Sequence, residues 1–439
     1  MLLKLKASNL IEALDIVSVV EPRSLTAQQN SSAFLFKCGT NADGKPWCSM
    51  YSRGEQQVAR VEFPLEELEG EGLFTIPAHH IRMWTKVPDD VITFESTTET
   101  KADGQAFIVN GRSTSGMKHD HSTYDPRLIA TCDKDFEAAK AAGEQTYLPG
   151  ILREALAEAR PFLPGGDKKD VAGDHLNTVQ IFDQSNPDWA KGDGHMFCSD
   201  STRAFYFQSS DFEGKGLAIH SRFLGKLTEF LGKCSGPVKL YRSQNMAYAS
   251  NDKGQIFGWV HETKTHSRFA YLSMARDKYV IIVPKVSILN AIDAAEMVVD
   301  AKADRVRLVY THNNSAAGGG HTLHFTATAS SSKFESFPVT TDDKKEEPSL
   351  EENFDCNVNL AHFKSLIQDA KGQQVELRVT IINKDESHPR GGALLRTIDN
   401  FEMYANGKLV TISDKPEPGT TSRETIYTCK VTRCMSSMV

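Results

Sequence analysis

The sequence predicts an α+β chain made of three repeated units, each with two helices packed on one side of antiparallel sheets. Three observations carry that reading. A segment of strand, polar break, amphipathic helix and strand occurs three times, about 140 residues apart. It reads GLFTIPAHHIRMWTKVPDDVITF from Gly72, GLAIHSRFLGKLTEFLGKCSGPVKLY from Gly216 and FDCNVNLAHFKSLIQDAKGQQVELRV from Phe354. A second segment precedes each copy: MLLKLKASNLIEALDIVSVV from Met1, QTYLPGILREALAEARPFL from Gln145 and DKYVIIVPKVSILNAIDAAEMVV from Asp277. Short alternating strands also outnumber helices, which places the helices together against sheets that are antiparallel.

Within the repeated segment, Ile76, Ile219 and Val358 close the first strand in equivalent places. The helix that follows sets apolar residues three apart: Ile81 and Trp84, Leu224 and Leu227, Phe363 and Leu366. That spacing keeps them on one helix face. After the helix of the first unit come VITFESTT and QAFIVNG, two strands separated by the turn-forming KADG. The units are expected at residues 1–133, 134–276 and 277–439. Insertions such as PGGDKKDVAGD, QSNPDWAKGDG, NNSAAGGG and TTDDKKEEPSLEE are too polar to bury a core and read as surface loops.

A length of 439 residues exceeds what one hydrophobic core supports and fits about three domains. The formal charge of −7 does not advertise nucleic acid, but phosphate responds to the local field and not to the sum. The eight cysteines are scattered and form no CxxC pair, which points to reduced thiols in a cytoplasmic protein and away from zinc or a disulfide framework. The apolar run in MLLKLKASNL is too short for a signal peptide, and no stretch approaches a membrane span.

Charge is distributed unevenly over the helices. In the first unit the second helix carries Arg82 and Lys86 with His79 and His80, and no acid between Pro77 and Val87. In the second unit it carries Arg222, Lys226 and Lys233 against Glu229, and in the third Lys364 and Lys371 against Asp369. One such helix is only an amphipathic helix with a solvated face. Recurrence at equivalent places in three units points to a surface that faces phosphate. No base-reading motif accompanies it, neither helix-turn-helix, zinc finger nor aromatic RNP pattern.

Several local matches in order along nearly the whole chain resemble the bacterial sliding clamp, the beta subunit of DNA polymerase III. Residues 1–21 look like its opening strand and helix, TIPAHHIRMWTKVP like its first-domain helix, and GRSTSGM like the strand that follows. HLNTV at 175–179, FCSDSTRAF at 197–205, HSRFAYL at 266–272, VRLVY at 306–310 and YTCKVTR at 427–433 stand where that family has its YLNG strand, ATDGHRL turn, GRFPDY segment, third-domain strand and terminal YVVMPMR. The resemblance implies a homodimeric ring of six clamp domains, helices inward, that encircles duplex DNA without sequence preference. It further implies a polymerase partner, a clamp loader, no membrane, no cofactor and no catalysis.

Carried over residue by residue, the resemblance implies DNA-facing Arg23, Arg82, Lys86, Arg153, Arg222, Lys226, Lys233, Lys364 and Lys371. It implies a partner-peptide pocket between the second and third domains at Leu176, Ser199, Asp200, Arg203, Ala204, Ala270, Lys430, Val431, Thr432 and Arg433. The pocket departs from the family pattern: its Gly-His is Ser201-Thr202, its Leu is Ala204, its Pro is Ala270, and its two methionines are Lys430 and Thr432. A smaller, more polar pocket implies a different peptide, and removal of residues 430–439 is expected to leave assembly intact. The dimer contact falls at Arg112, Ser115 and Met117 on a first-unit edge strand, facing Ile292, Met297 and Val298 of the third unit. An enzyme finds no support: His79 and His80 point about 100° apart on a helix and make poor joint metal ligands. A clamp-fold interaction scaffold that never meets DNA is the alternative.

Overall fold

In a computed structural model the chain folds as two compact units. One comprises residues 1–157, 217–263 and 407–409; the other comprises 158–216, 264–406 and 410–439. The structure describes residues 2–20, 33–54, 56–78, 81–82, 90–101, 104–111, 114–120, 126–147, 149–164, 177–181, 195–200, 202–209, 216–260, 279–297, 305–311, 321–329, 332–335, 338–343, 354–382, 392–406, 409–413 and 425–436. Helices and antiparallel sheets mix as the repeats predict. Six helices are described over their full length: α1 (Ala7–Val17), α2 (Pro126–Ala141), α3 (Pro149–Ala159), α4 (Ser221–Lys233), α5 (Lys285–Glu296) and α6 (Leu360–Asp369). Ala78, Ile81 and Arg82 are helical as well, where the second helix of the first repeat is expected.

Helices α4 and α6 show how the repeated segment produces its local structure. Each follows a strand directly, and each is capped by the last residue before it. His220 Nδ1 accepts from the Arg222 N–H at 3.2 Å, and Asn359 Oδ1 accepts from the His362 N–H at 2.9 Å. Such caps satisfy one of the otherwise orphaned first-turn donors. The apolar stripe then buries Phe223, Leu224, Leu227, Phe230 and Leu231 on α4, and Leu360, Phe363, Leu366 and Ile367 on α6. At the far end Lys233 sits in the last turn of α4, where a cation complements the helix dipole. Lys285 Nζ caps α6 from outside, donating to the Gln368 and Ala370 carbonyls at 2.8 and 2.6 Å.

In the first unit a five-stranded antiparallel sheet runs from Glu67–Glu69 through Leu2–Lys6, Val91–Lys101 and Gly104–Gly111 to Thr114–Asp120. An eight-stranded sheet joins the first repeat to the second: the strand Gln57–Pro64 pairs antiparallel with Ile256–Val260. In the second unit the same connection recurs one repeat later, where Arg203–Ser209 pairs with Thr425–Ser436. The core of this unit packs α5 and α6 on the sheet through Ile288, Ile292, Phe363 and Leu366, with Leu308, Phe325 and Leu377 beneath them.

Helix α2 is absent from the sequence reading, which placed a repeat boundary at residue 133. It lies on the face of the eight-stranded sheet opposite Phe257 and Trp259, because alternate strand residues point to opposite faces. Phe136 meets Tyr241 and Tyr248 edge-on, at 5.5 and 5.3 Å between ring centres. Asp133 accepts from Lys37 at 3.0 Å, the Tyr51 hydroxyl at 2.9 Å and Arg60 at 3.1 Å. Asp135 accepts from the Tyr248 hydroxyl at 2.8 Å and from Ser243 at 3.0 Å. Burial pushes the Tyr51 and Tyr248 phenols up, and their carboxylate partners add to it, so both stay donors through neutral pH.

Two glycines separate packing from propensity. A Cβ on Gly258 would sit 2.7 Å from the Tyr248 ring and 2.9 Å from Val58, and that ring is held by Asp135. Gly258→Ala is therefore expected to destabilise the fold by about 1–3 kcal/mol through overpacking. A Cβ on Gly225, inside α4, meets nothing within 4 Å. Gly225→Ala is expected to stabilise by roughly 1 kcal/mol through helix propensity alone. Denaturant melts of the two variants check the opposite signs.

Candidate nucleic-acid interface and peptide pocket

Most of the described cations singled out on the helices face acids, on their own helix or on a neighbouring segment. Lys233 lies 3.0 Å from Asp15 on α1 and 3.5 Å from Glu229. Lys226 lies 3.6 Å from Glu229, and Arg153 lies 3.6 Å from Glu154. Lys253, in the turn before the strand Ile256–Val260, meets Glu12 of α1 at 2.9 Å. In the second unit Lys364 bridges Asp293 and Glu296 of α5 at 2.8 and 2.6 Å, and Lys371 approaches Glu158 at 3.9 Å. Arg222 is exposed, its guanidinium 4.7 Å over the Phe223 ring, and Arg82 is exposed too. Arg23 and Lys86 lie outside the described residues.

Magnitude decides what these pairs mean. Exposed ion pairs such as Lys226–Glu229 and Lys253–Glu12 contribute about 0–1 kcal/mol each, so they do not immobilise those cations. They do cancel much of the field that a row of unpaired lysines would project. Hydrogen bonds donated to Asp293 and Glu296 raise the Lys364 pKa, and the bond to Glu12 does the same for Lys253, so both remain charged. The signal was legible. Glu12 and Asp15 stand three apart on α1, as do Asp293 and Glu296 on α5, but only the second helix of each repeat was weighed for charge.

The predicted pocket residues are brought together as paired strands, with Ser199 and Asp200 at the turn that opens one of them. Arg203 pairs with Met435, Ala204 with Cys434, Phe205 with Arg433, Tyr206 with Thr432, Phe207 with Val431 and Gln208 with Lys430. Asp200 organises the turn: its Oδ1 accepts from the Thr202 and Arg203 N–H groups at 3.0 and 2.7 Å. Its Oδ2 takes the Arg203 guanidinium at 2.8–2.9 Å, and that guanidinium lies 5.7 Å over the Phe162 ring. Ser199 Oγ donates to the Arg203 carbonyl at 2.7 Å. Ala204, Val431 and Thr432 are buried, whereas Asp200, Arg203 and Lys430 keep partial exposure. Leu176 and Ala270 lie outside the described residues.

Arg433 is wholly buried and bonds both Asp399 and Glu158. Asp399 also accepts the Lys371 backbone N–H at 3.1 Å. The strand bearing Arg433 lies between Arg203–Ser209 and Gly392–Asn406, inside the sheet and not along its margin. Truncation at residue 430 would therefore remove a central strand and its buried ion pairs, so it cannot test the pocket while leaving the fold whole.

Of the predicted dimer residues, Ile292 is buried in the core of the second unit while Met297, just past α5, is 87% exposed. Ser115 and Met117 sit on the strand Thr114–Asp120, which ends its sheet among the described residues. Arg112 and Val298 lie outside the described residues. Residues 292–296 are helical and cannot offer ladder hydrogen bonds. In the third repeat, Ser332–Glu335 pairs on one side only among the described residues. No group of three or more His, Cys, Asp or Glu able to hold a metal occurs among the described residues, and His79 and His80 fall outside them. No described helix is long and apolar enough to cross a membrane.

Repeats joined strand to strand, with paired helices on antiparallel sheets, define the clamp fold of bacterial DNA polymerases. Three solved structures share it over the full chain. The sliding clamp of Pseudomonas aeruginosa is 13% identical, with TM-score 0.64 and 100% of each chain covered. The beta subunit from Streptococcus pyogenes is 11% identical, with TM-score 0.63 and 100% of each chain covered. The polymerase III beta subunit of Thermotoga maritima is 10% identical, with TM-score 0.59, covering 100% of this chain and 99% of that one. No protein-family model and no curated protein matches the sequence.

Two substitutions grade the ion pairs. Arg433→Ala leaves two acids buried without their partner and is expected to cost about 3–5 kcal/mol, while Lys226→Ala should cost less than about 1 kcal/mol. For Asp200, burial alone would raise the carboxyl, but the Arg203 and Thr202 hydrogen bonds and the Arg203 charge outweigh it and hold it below its usual range. A depressed carboxyl adds stability above its unfolded pKa of about 3.9 and loses it as pH falls through the folded value. Asp200→Asn should therefore melt below the parent at neutral pH, and the gap should narrow as the solution is acidified below about pH 4.

Proposed function

We propose that the chain is a DNA sliding clamp, a non-catalytic processivity factor that encircles duplex DNA and tethers a replicative polymerase. The observation that carries this reading is the clamp fold over the entire chain, in register with proteins only 10–13% identical. Three units at 1–133, 134–276 and 277–439 are the repeats of that fold, and two copies supply six. Each internal seam joins the fourth strand of one repeat to the last strand of the next. The same rule leaves Thr114–Asp120 and Ser332–Glu335 as complementary open edges, which fits closure by a second copy about a two-fold axis. Met297, just past α5, is an exposed apolar side chain that a second copy could cover.

The helix cations support sequence-blind contact with phosphate. A tight phosphate binder could not slide, since each step would break several charge-assisted contacts. A topologically linked clamp needs only weak, salt-screened attraction. Partner peptides would enter beside Asp200, Arg203 and Lys430, a more polar site than the family pattern has, and a loader would open the dimer. The pairing of Lys226, Lys233, Lys364 and Lys371 with acids favours a second reading, a clamp-fold scaffold that does not meet DNA.

Retention on circular DNA, before and after linearisation, separates the two. A clamp loaded by its matching loader stays on the circle and runs off the cut end; equal loss from both forms overturns the reading. Joint reversal of Arg82, Lys86, Arg222 and Lys226 to Glu should reduce loading and sliding without unfolding, and unchanged DNA retention at low salt counts against the lining. Neutralising Asp15, Glu229, Asp293 and Glu296 should strengthen DNA affinity and steepen its salt dependence by up to about 0.9 in log K against log salt for every further phosphate neutralised. The purified chain should run as a dimer of twice 48.6 kDa, 97.2 kDa, and a strict monomer at micromolar concentration counts against closure.

A further inference from the structure

The strands Ala33–Thr40 and Pro46–Arg53 form a hairpin in the first unit, and their register sets Cys38 directly opposite Cys48. Near the turn the Asn41 N–H donates to the Lys45 carbonyl at 2.9 Å, which marks that opposed pair as hydrogen-bonded. Hydrogen-bonded and non-hydrogen-bonded pairs alternate along an antiparallel ladder. Gly39–Trp47 and Lys37–Ser49 are therefore bonded pairs, and Cys38–Cys48 between them is not. Non-bonded pairs bring their Cα atoms to about 4.5 Å with side chains leaning together, inside the range of about 4.4–6.8 Å that a disulfide spans. The two Sγ atoms are 2.9 Å apart, within about 1 Å of bonding distance, and both residues are buried.

We infer that Cys38 and Cys48 are a redox-responsive thiol pair, reduced at rest and closed by peroxide to a disulfide across the hairpin. Scattered spacing concealed the pair in the sequence, where ten positions separate them. Closure is a two-electron oxidation with hydrogen peroxide as oxidant. One sulfur, as thiolate, attacks a peroxide oxygen; the O–O bond breaks, and the departing hydroxide takes a proton to leave as water. The second thiol attacks the resulting sulfenic sulfur, the S–O bond breaks, the S–S bond forms and a second water leaves. Peroxide is small enough to reach buried sulfur where a larger disulfide reagent is not. Burial pushes the Cys48 thiol well up, with Cys38 beside it adding to the effect, so closure should be slow at neutral pH and accelerate as pH rises.

The hairpin matters because Pro46–Arg53 pairs with Gln57–Pro64, the strand that joins the first repeat to the second. A bond across it would tie the sheet one strand away from that seam. The test maps peptides of the full chain after peroxide treatment and alkylation of remaining thiols under denaturing conditions. The expected product is a linked Cys38–Cys48 peptide, two hydrogens lighter than the reduced pair, restored by dithiothreitol and melting above the reduced protein. Recovery of both cysteines as free thiols, or as separate sulfinic and sulfonic acids, overturns the inference. Refolding of the reduced, unfolded chain in a glutathione redox buffer removes burial as a barrier, and absence of the linked peptide there overturns the geometry itself. Cys38→Ala should lose the redox-dependent melting shift, and a shift that persists in this variant also overturns it.

Discussion

A sheet edge presents a row of unpaired N–H and C=O groups that must find partners or stay in water. In this chain that requirement is met repeat against repeat. Gln57–Pro64 finds Ile256–Val260, and Arg203–Ser209 finds Thr425–Ser436. Backbone hydrogen bonding does not depend on side-chain identity, which is why the arrangement survives at 10–13% identity to bacterial clamps. It also explains why compact units and sequence repeats have different boundaries: sheets run through the seams, so a unit collects strands from more than one repeat. Around the second seam the side chains add what backbone pairing lacks. The buried Arg433 ties its strand to Asp399 on the neighbouring strand and to Glu158 on α3.

Legibility in the sequence followed the range of the interaction. Helices α4 and α6 were readable because their causes are local: a capping residue and an apolar stripe at helical spacing. The meander Val91–Lys101, Gly104–Gly111 was readable from alternation and a turn. Helix α2 was not, because what holds it is Asp133 meeting Lys37, Tyr51 and Arg60 from three strands of the preceding repeat. Its own periodicity is diluted by PRLIATCDKD, which reads as a charged connector. Asp200 and Arg203 were singled out for a pocket, and the geometry gives both a structural task in the turn. The Cys38–Cys48 pair required strand register, which no composition argument supplies.

The charge layer shows why helices must be read in pairs. Taken alone, the second helix of each repeat is basic in sequence; taken with α1 or α5, Lys233 of α4 and Lys364 of α6 are compensated. That compensation need not oppose a sliding function. Each exposed pair is worth about 0–1 kcal/mol, comparable with thermal energy, so an approaching phosphate exchanges one weak partner for another at little net cost. In the proposed clamp, exchange of that kind would flatten the energy profile along DNA, since no register of phosphates is much better than the next. The same pairs would suppress long-range attraction, so that topology would supply residence and electrostatics only centring. A protein held by linkage tolerates such a surface, whereas one held by affinity does not, so the acids beside the lysines bear on the mode of attachment more directly than the net charge.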